Sequence, residues 1–277
     1  MTDTNEPVVR RGTGLLVRLV VVLATLVVAV GVVWAVRIAV VPSGTSAAAD
    51  IPALHVEAVP VEPGAVVPAG VAGEPVAQPH PQAGQRGVDP LRAWAERLAG
   101  PTGIPARALM AYGNAELVVH ANTPGCRLSW ATLAGIGRIE SNHGRYGGAI
   151  LGEDGRPSTP IIGVPLDGTP GVRAISDSDG GMFDGDNTVD RAVGPMQFIP
   201  STWRRWTSDA NLDGRGDPQQ IDDAALAAGR YLCTGGRDLG AASGWWQGVF
   251  SYNNSVPYGQ KVFGLADNYA RTAAAQR

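Results

Sequence analysis

Leu133-Ala-Gly-Ile136-Gly-Arg-Ile139-Glu140 is the stretch on which the reading of this chain turns. It lies in a helical segment expected over 129–141, with Gly144 as the stop. At about 100° per residue, Leu133, Ile136 and Glu140 fall within roughly 60° of one another. The carboxyl therefore points with the apolar stripe, toward the core or a cleft wall. In the last turn, the negative end of the helix dipole disfavours its ionised form, and apolar surroundings push the same way. Both effects raise its pKa, the condition for a carboxylic acid to donate a proton near neutral pH. The competing reading is a surface or salt-bridged glutamate with Arg138 nearby, and His143 could simply cap the helix end.

Further segments carry helical periodicity: 90–98, 105–119, 201–206, 221–232 and 260–274. Between 144 and 193 the chain is rich in Gly, Asp and Pro and too long for a passive connection, with a small β hairpin expected around 161–164. The domain over 88–277 is thus expected to be mainly α. It contains no G-x-S-x-G elbow, H-E-x-x-H pair or G-x-G-x-x-G loop, so the common hydrolase, zincin and dinucleotide signals are missing. A net charge of −3 offers no basic field for nucleic acid.

The 44% hydrophobic share is concentrated at the front. Residues 19–41 hold only Thr25, Gly31 and Arg37 outside the apolar set. The uncharged run 19–36 would span roughly 27 Å as a helix, enough for a bilayer core. Arg10, Arg11 and Arg18 precede it and favour a cytoplasmic tail over 1–18, with a single-pass transmembrane signal anchor at the cell membrane and the rest outside. A cleaved signal peptide, with Ala47-Ala48-Ala49 at its cleavage site, is the alternative. Both readings export the domain. Residues 42–87, rich in Pro, Ala and Gly, read as a disordered linker.

Two cysteines rule out a Cys-only four-ligand zinc site. In an exported domain, Cys126 and Cys233 read as a disulfide, which removes both as nucleophiles. A different chemistry is suggested by Asp209-Ala-Asn211-Leu-Asp213-Gly214-Arg215-Gly-Asp217, with oxygen donors at positions 1, 3, 5 and 9 and glycine at 6 of a calcium loop. Position 7, Arg215, would contribute its backbone carbonyl. Position 12 is Gln220, so the closing carboxylate would come from Asp222 or Asp223. The bland alternative is a solvated Asx-turn loop, with Asp222 and Asp223 at a helix N-terminus. A second acidic stretch, 177–190, lacks the spacing.

Gly135-Ile-Gly-Arg-Ile-Glu140-Ser141, then Gly194-Pro-Met-Gln197-Phe-Ile-Pro-Ser201-Thr-Trp203, then Ser251-Tyr252-Asn253 resemble, in order, the motifs of lytic murein transglycosylases of the membrane-bound B type. Their actinobacterial relatives look most similar. The resemblance covers about 88–275 and implies an α+β lysozyme-like domain. It implies cleavage of the β-1,4 bond between N-acetylmuramic acid and N-acetylglucosamine in peptidoglycan strands, giving 1,6-anhydro ends. Glu140 would be the single catalytic acid and then base. Gln197, Tyr252, Asn253, Trp203 and Tyr258 would face substrate, as would Ser141 beside the acid. Gln197 could equally be a buried amide satisfied by backbone, Trp203 a core residue, and Ser141 only the end of a helix. No cofactor is required for this chemistry, and a structural calcium after the groove segment is implied, with Asp209, Asn211, Asp213, Arg215, Asp217 and Asp223 as its ligands. The alternatives are a hydrolytic muramidase, in which water attacks, and a catalytically idle glycan-binding module.

Overall fold

A computed structural model describes residues 89–276 of the chain. The tail, anchor and linker expected over 1–18, 19–41 and 42–87 lie outside them. Among the described residues no helix is long and apolar enough to cross a membrane. Seven α-helices form there: α1 (Pro90–Thr102), α2 (Ala106–Asn122), α3 (Trp130–Ser141), α4 (Pro200–Trp206), α5 (Ile221–Leu232), α6 (Ala242–Tyr252) and α7 (Val256–Ala274). The domain is mainly α, as its periodicity implied.

Helix ends follow local chemistry. Asp89 caps α1 by accepting from the Leu91 N–H (3.0 Å), and Pro90 occupies the first turn, where a missing N–H costs nothing. Gln220 caps α5 through its amide oxygen, which accepts from the N–H groups of Asp222 and Asp223. That helix matches its expected span, whereas α7 begins four residues before the expected 260, with Ser255 as its cap and Pro257 in its first turn. Helix α6 has no counterpart in the sequence reading. Its Gly244, Trp245, Trp246 and Gly248 obscure any polar face, yet those glycines are where neighbours press closest. A Cβ on Gly244 would collide with the Asp238 carbonyl, and one on Gly248 would lie 2.9 Å from Leu239.

The core is organised around α3, which packs on α2 and α7, while α2 also meets α1 and α5. Every residue of α3 except Arg138 is buried. The apolar-stripe argument is thus superseded by burial on all faces. Close approach is possible because α3 carries small residues. A Cβ on Gly135 would lie 2.9 Å from the Val262 carbonyl of α7, and one on Gly137 would overlap the Tyr112 hydroxyl of α2. The expected hairpin is a wider one: β1 (Ile162–Pro165) pairs antiparallel with β2 (Arg191–Val193), aligning Ile162 with Val193.

Cys126 and Cys233 form the expected disulfide, with Cα atoms 5.5 Å apart and a sequence separation of 107. It ties the α2–α3 connection to the end of α5. Beside it, the Leu239 N–H donates to the Cys126 carbonyl (2.6 Å). Loops of this length are worth about 4.7 kcal/mol in the chain-entropy picture, and measured values are typically about 2–4. Replacing both cysteines by serine is expected to cost about 3 kcal/mol and to lower the melting temperature by about 6–12 °C. Thermal melts of the double variant, with the wild type run in reductant alongside, check this, and superimposable curves would contradict it.

Candidate active site

Glu140 occupies the last turn of α3, and the chain then turns sharply through three left-handed residues, Asn142 (φ 54°), His143 (φ 61°) and Gly144 (φ 78°). The helix thus stops two residues before Gly144. Two non-glycine residues in this region cost about 1–3 kcal/mol each and persist only where surroundings hold them. Here they are held. The Ser141 hydroxyl donates to the Pro195 carbonyl (2.6 Å) and accepts from the Gly144 N–H (2.8 Å). The buried His143 ring lies between the hydroxyls of Tyr112 (3.1 Å) and Tyr269 (3.4 Å). Burial, with Arg145 and Arg138 nearby, pushes its pKa well down, so it is a neutral packing group rather than a helix cap.

At the other end of α3, the carboxyl of Glu116 accepts from the Trp130 N–H. Burial lifts its pKa to about 7, against the lowering effect of that bond.

Pro195 belongs to a tight turn closed by reciprocal backbone bonds between Val193 and Phe198 (2.8 and 2.9 Å). Gly194 is left-handed (φ 78°) and abuts the Pro218 carbonyl so closely that no side chain fits. Gln197 is also left-handed (φ 48°), and its amide nitrogen donates to the Gly194 carbonyl (3.0 Å). Its oxygen side faces Gly163, where a Cβ would lie 2.9 Å from Oε1. Gln197 is therefore both a backbone-satisfied amide and a wall of the cleft.

The cleft has a cavity of about 180 Å³. Glu140 and Gln197 face Ile162, Val164 and Pro165 of β1 across it, with Tyr146 and Arg191 at its margins. Glu140 is 6% exposed and accepts a hydrogen bond from the Tyr258 hydroxyl (2.6 Å). Burial raises its pKa from 4.5 to about 7, against the lowering effect of that bond. Tyr252 donates to the Met196 carbonyl (2.7 Å), and burial and the nearby Glu140 both push its own pKa well up.

Several expected substrate contacts are relocated. Ser141 is wholly buried and faces Pro195, so it acts as a latch and cannot touch a ligand in the cleft. Trp203 is also fully buried, edge-on to Phe198 at 5.6 Å, and belongs to the core. Tyr258 contacts the acid directly. Asn253 does not line the cleft, and its buried Oδ1 has no hydrogen-bond partner among the described residues. Tyr146, Arg191, the β1 residues and Glu116 were not anticipated, and no periodicity marks them.

No protein-family model and no curated protein matches the chain. What the cleft can do chemically rests on its own geometry: one carboxyl whose pKa burial raises to about 7, and no second carboxylate among its lining residues.

The acidic loop after α4 fits a calcium ion only in part. Asp209, Asn211 and Asp213 present hard oxygens around the left-handed Leu212 and Gly214. They also accept backbone N–H groups, Asp209 from Asp213 (3.1 Å) and Gly214 (2.9 Å). Asp217 is paired with Arg156, and the fully buried Asp223 accepts from Ala210 (2.7 Å), Asn211 (3.4 Å) and Asp217 (3.0 Å). Asp217 is thus engaged by Arg156, whereas Asp223 is bonded to the loop's own N–H groups and ties the loop to the first turn of α5. Gln220 stands at position 12 because it caps α5. Among the described residues, the only three acidic side chains whose oxygens gather within 4.8 Å are Asp177, Asp179 and Asp190, in the stretch whose spacing looked weaker. Each of these also accepts from nearby N–H or hydroxyl groups.

Two outcomes follow from these electrostatics. With a folded pKa near 7 and an unfolded value near 4.5, Glu140 stabilises the fold fully below about pH 4.5, and the contribution is lost as pH rises through 7. The loss amounts to roughly 3 kcal/mol. Glu140→Gln should therefore melt less pH-dependently than wild type between about pH 5 and 8, and parallel melting curves would contradict the burial of an ionisable acid. For the acidic loop, about 10 mM calcium acting on a site of roughly millimolar affinity adds ~1.4 kcal/mol, or about 3–6 °C. Asp209→Ala should abolish that shift, and identical melting of chelated and calcium-loaded wild type would exclude the ion.

Proposed function

We propose that the domain is a peptidoglycan lytic transglycosylase of lysozyme-like type, with Glu140 as its single catalytic acid and base. The observation that carries the reading is a lone carboxyl, buried at the cleft wall beside Gln197 and lifted to a pKa of about 7. Two-carboxylate glycosidases place a second acid about 5–9.5 Å away. Here Glu140 is the only acidic residue lining the cleft, which suits a reaction whose second nucleophile belongs to the substrate.

In that reaction the protonated Glu140 gives its proton to the glycosidic oxygen, and the bond from that oxygen to C1 of the muramic acid breaks. The sugar's own acetamido oxygen assists at C1. The resulting Glu140 carboxylate then takes the proton of the C6 hydroxyl as O6 closes onto C1. No water enters, and the acid ends as it began. Tyr258, bonded to Oε1, orients the carboxyl, and its hydroxyl stabilises the carboxylate during the middle of the cycle. Gln197, with its nitrogen spent on Gly194, is left to face the sugar.

The disulfide suits an oxidising compartment outside the cytoplasm, which agrees with export by an anchor at 19–41. A calcium at Asp209, Asn211 and Asp213 would brace the loop between α4 and α5 by charge and take no part in the reaction.

Digestion of purified peptidoglycan followed by mass spectrometry tests the reading. The wild-type protein should release ends one water lighter than hydrolysed reducing ends, and Glu140→Gln should lower the rate by about 10²–10⁴. Hydrated reducing ends would instead identify a muramidase, and binding without release would identify an idle glycan-binding module.

A further inference from the structure

The acidic stretch 177–190 takes no part in the reaction just described, yet two of its carboxylates, Asp184 and Asp186, are spent on one neighbour, Arg191. Asp184 accepts from the backbone N–H of Arg191 (2.6 Å), and Asp186 accepts from its Nε (3.0 Å). Asp186 is in turn fixed by the N–H groups of Thr188 (3.0 Å) and Val189 (3.3 Å). The guanidinium leans on the Gly163 carbonyl through Nη1 (3.4 Å). Arg191 is the only cationic residue lining the cleft, its side chain is 30% exposed, and it shares that cleft with Glu140 and Gln197. Glu140 is bonded to Tyr258, and burial shifts it toward its neutral form. Nε and Nη1 are thus engaged, which leaves Nη2 as the nitrogen of the fork bonded to neither Asp186 nor Gly163, in a cleft lined also by the apolar Ile162, Val164 and Pro165.

A guanidinium held at Nε and Nη1, with Nη2 left over, is arranged to receive an anion by directed hydrogen bonds. Asp186 offsets part of the charge, so recognition rests on the directed donors more than on bare attraction. In the proposed substrate, muramic acid differs from glucosamine by a 3-O-lactyl arm, which ends in a carboxylate or continues into a peptide that carries carboxylates. We propose that Arg191 is a specificity-determining residue that reads a carboxylate on this arm and so sets which sugar sits beside Glu140. The inference rests on the glycan-cleaving reading above, and its test separates the two.

Glycan strands stripped of peptide are prepared with free lactyl carboxylates and, in parallel, with those groups converted to neutral carboxamides. Intact peptidoglycan is prepared as the same pair, so that the lactyl and stem-peptide carboxylates are told apart. Cleavage rate is measured for wild type, and strand binding for Glu140→Gln, which removes turnover. The charged member of at least one pair should be preferred by about ten-fold in both measurements. Arg191→Met should bring that ratio to within about two-fold of unity, and Asp186→Asn, which frees the fork without removing it, should reduce it part-way. Absence of preference in wild type for either pair, or a preference that survives Arg191→Met in folded protein, overturns the proposal. Arg191-dependent binding without any cleavage would uphold it and sink the catalytic reading instead.

Discussion

One hydroxyl holds the two halves of the cleft together. Ser141 follows the acid directly, and its side chain bridges the Pro195 carbonyl and the Gly144 N–H in a fully buried position. Each such bond is worth about 1 kcal/mol net, and more if a partner were left unsatisfied. Its importance is geometric. It joins the end of α3 to the turn that presents Gln197, and it helps hold the left-handed run after the helix in place. Glu140 and Gln197 face one cleft because the residues beside them are bonded to each other.

That latch can be rigid because α3 has no exposed face beyond Arg138. A helix enclosed by α2 and α7 has no side from which water can reach a carboxyl, except through the cleft at its end. The raised pKa of Glu140 follows from this burial and not from a neighbouring charge, since the one polar partner, Tyr258, acts to lower it. Burial and the hydroxyl thus work in opposite directions. Burial keeps the proton on the resting acid, and the hydroxyl limits the cost of losing it. In the proposed reaction, where the acid donates and then accepts within one turnover, both are needed.

Much of this was legible in the sequence wherever burial follows a helical period. The span of α5 could be read directly, and so could the burial of Glu140, although it comes from enclosure of the whole helix and not from a stripe shared with Leu133 and Ile136. The disulfide followed from having two cysteines in a domain expected to be exported. Where structure is set by side chain-to-backbone bonds, the period vanishes. Tyr146, Ile162, Val164 and Arg191 form the far wall of the cleft within 144–193. Much of that segment is shaped by Asp177, Asp179, Asp184 and Asp186 bonding nearby N–H groups and by left-handed glycines. Such contacts leave composition behind but no spacing. Ser141 and Trp203 were misplaced for a related reason: a motif records which residues recur together, not which of them face inward.

The two walls therefore differ in how firmly they stand. Glu140 is carried by helices packed through Gly135 and Gly137 at close range, and close-packed interfaces of this kind shift little. The opposite wall is a two-stranded sheet, an arrangement with marginal stability of its own. It is reinforced by polar anchors: Asp190 receives Ser178 by both N–H and hydroxyl, and Asp186 and Asp184 hold Arg191. Adjustment to a bound chain would fall on this wall, because a two-stranded sheet has little stability of its own. The acidic stretch then has a physical reason to lie where it does. Glu140 is fixed by the core, whereas Arg191, on the two-stranded wall, is fixed by Asp184 and Asp186.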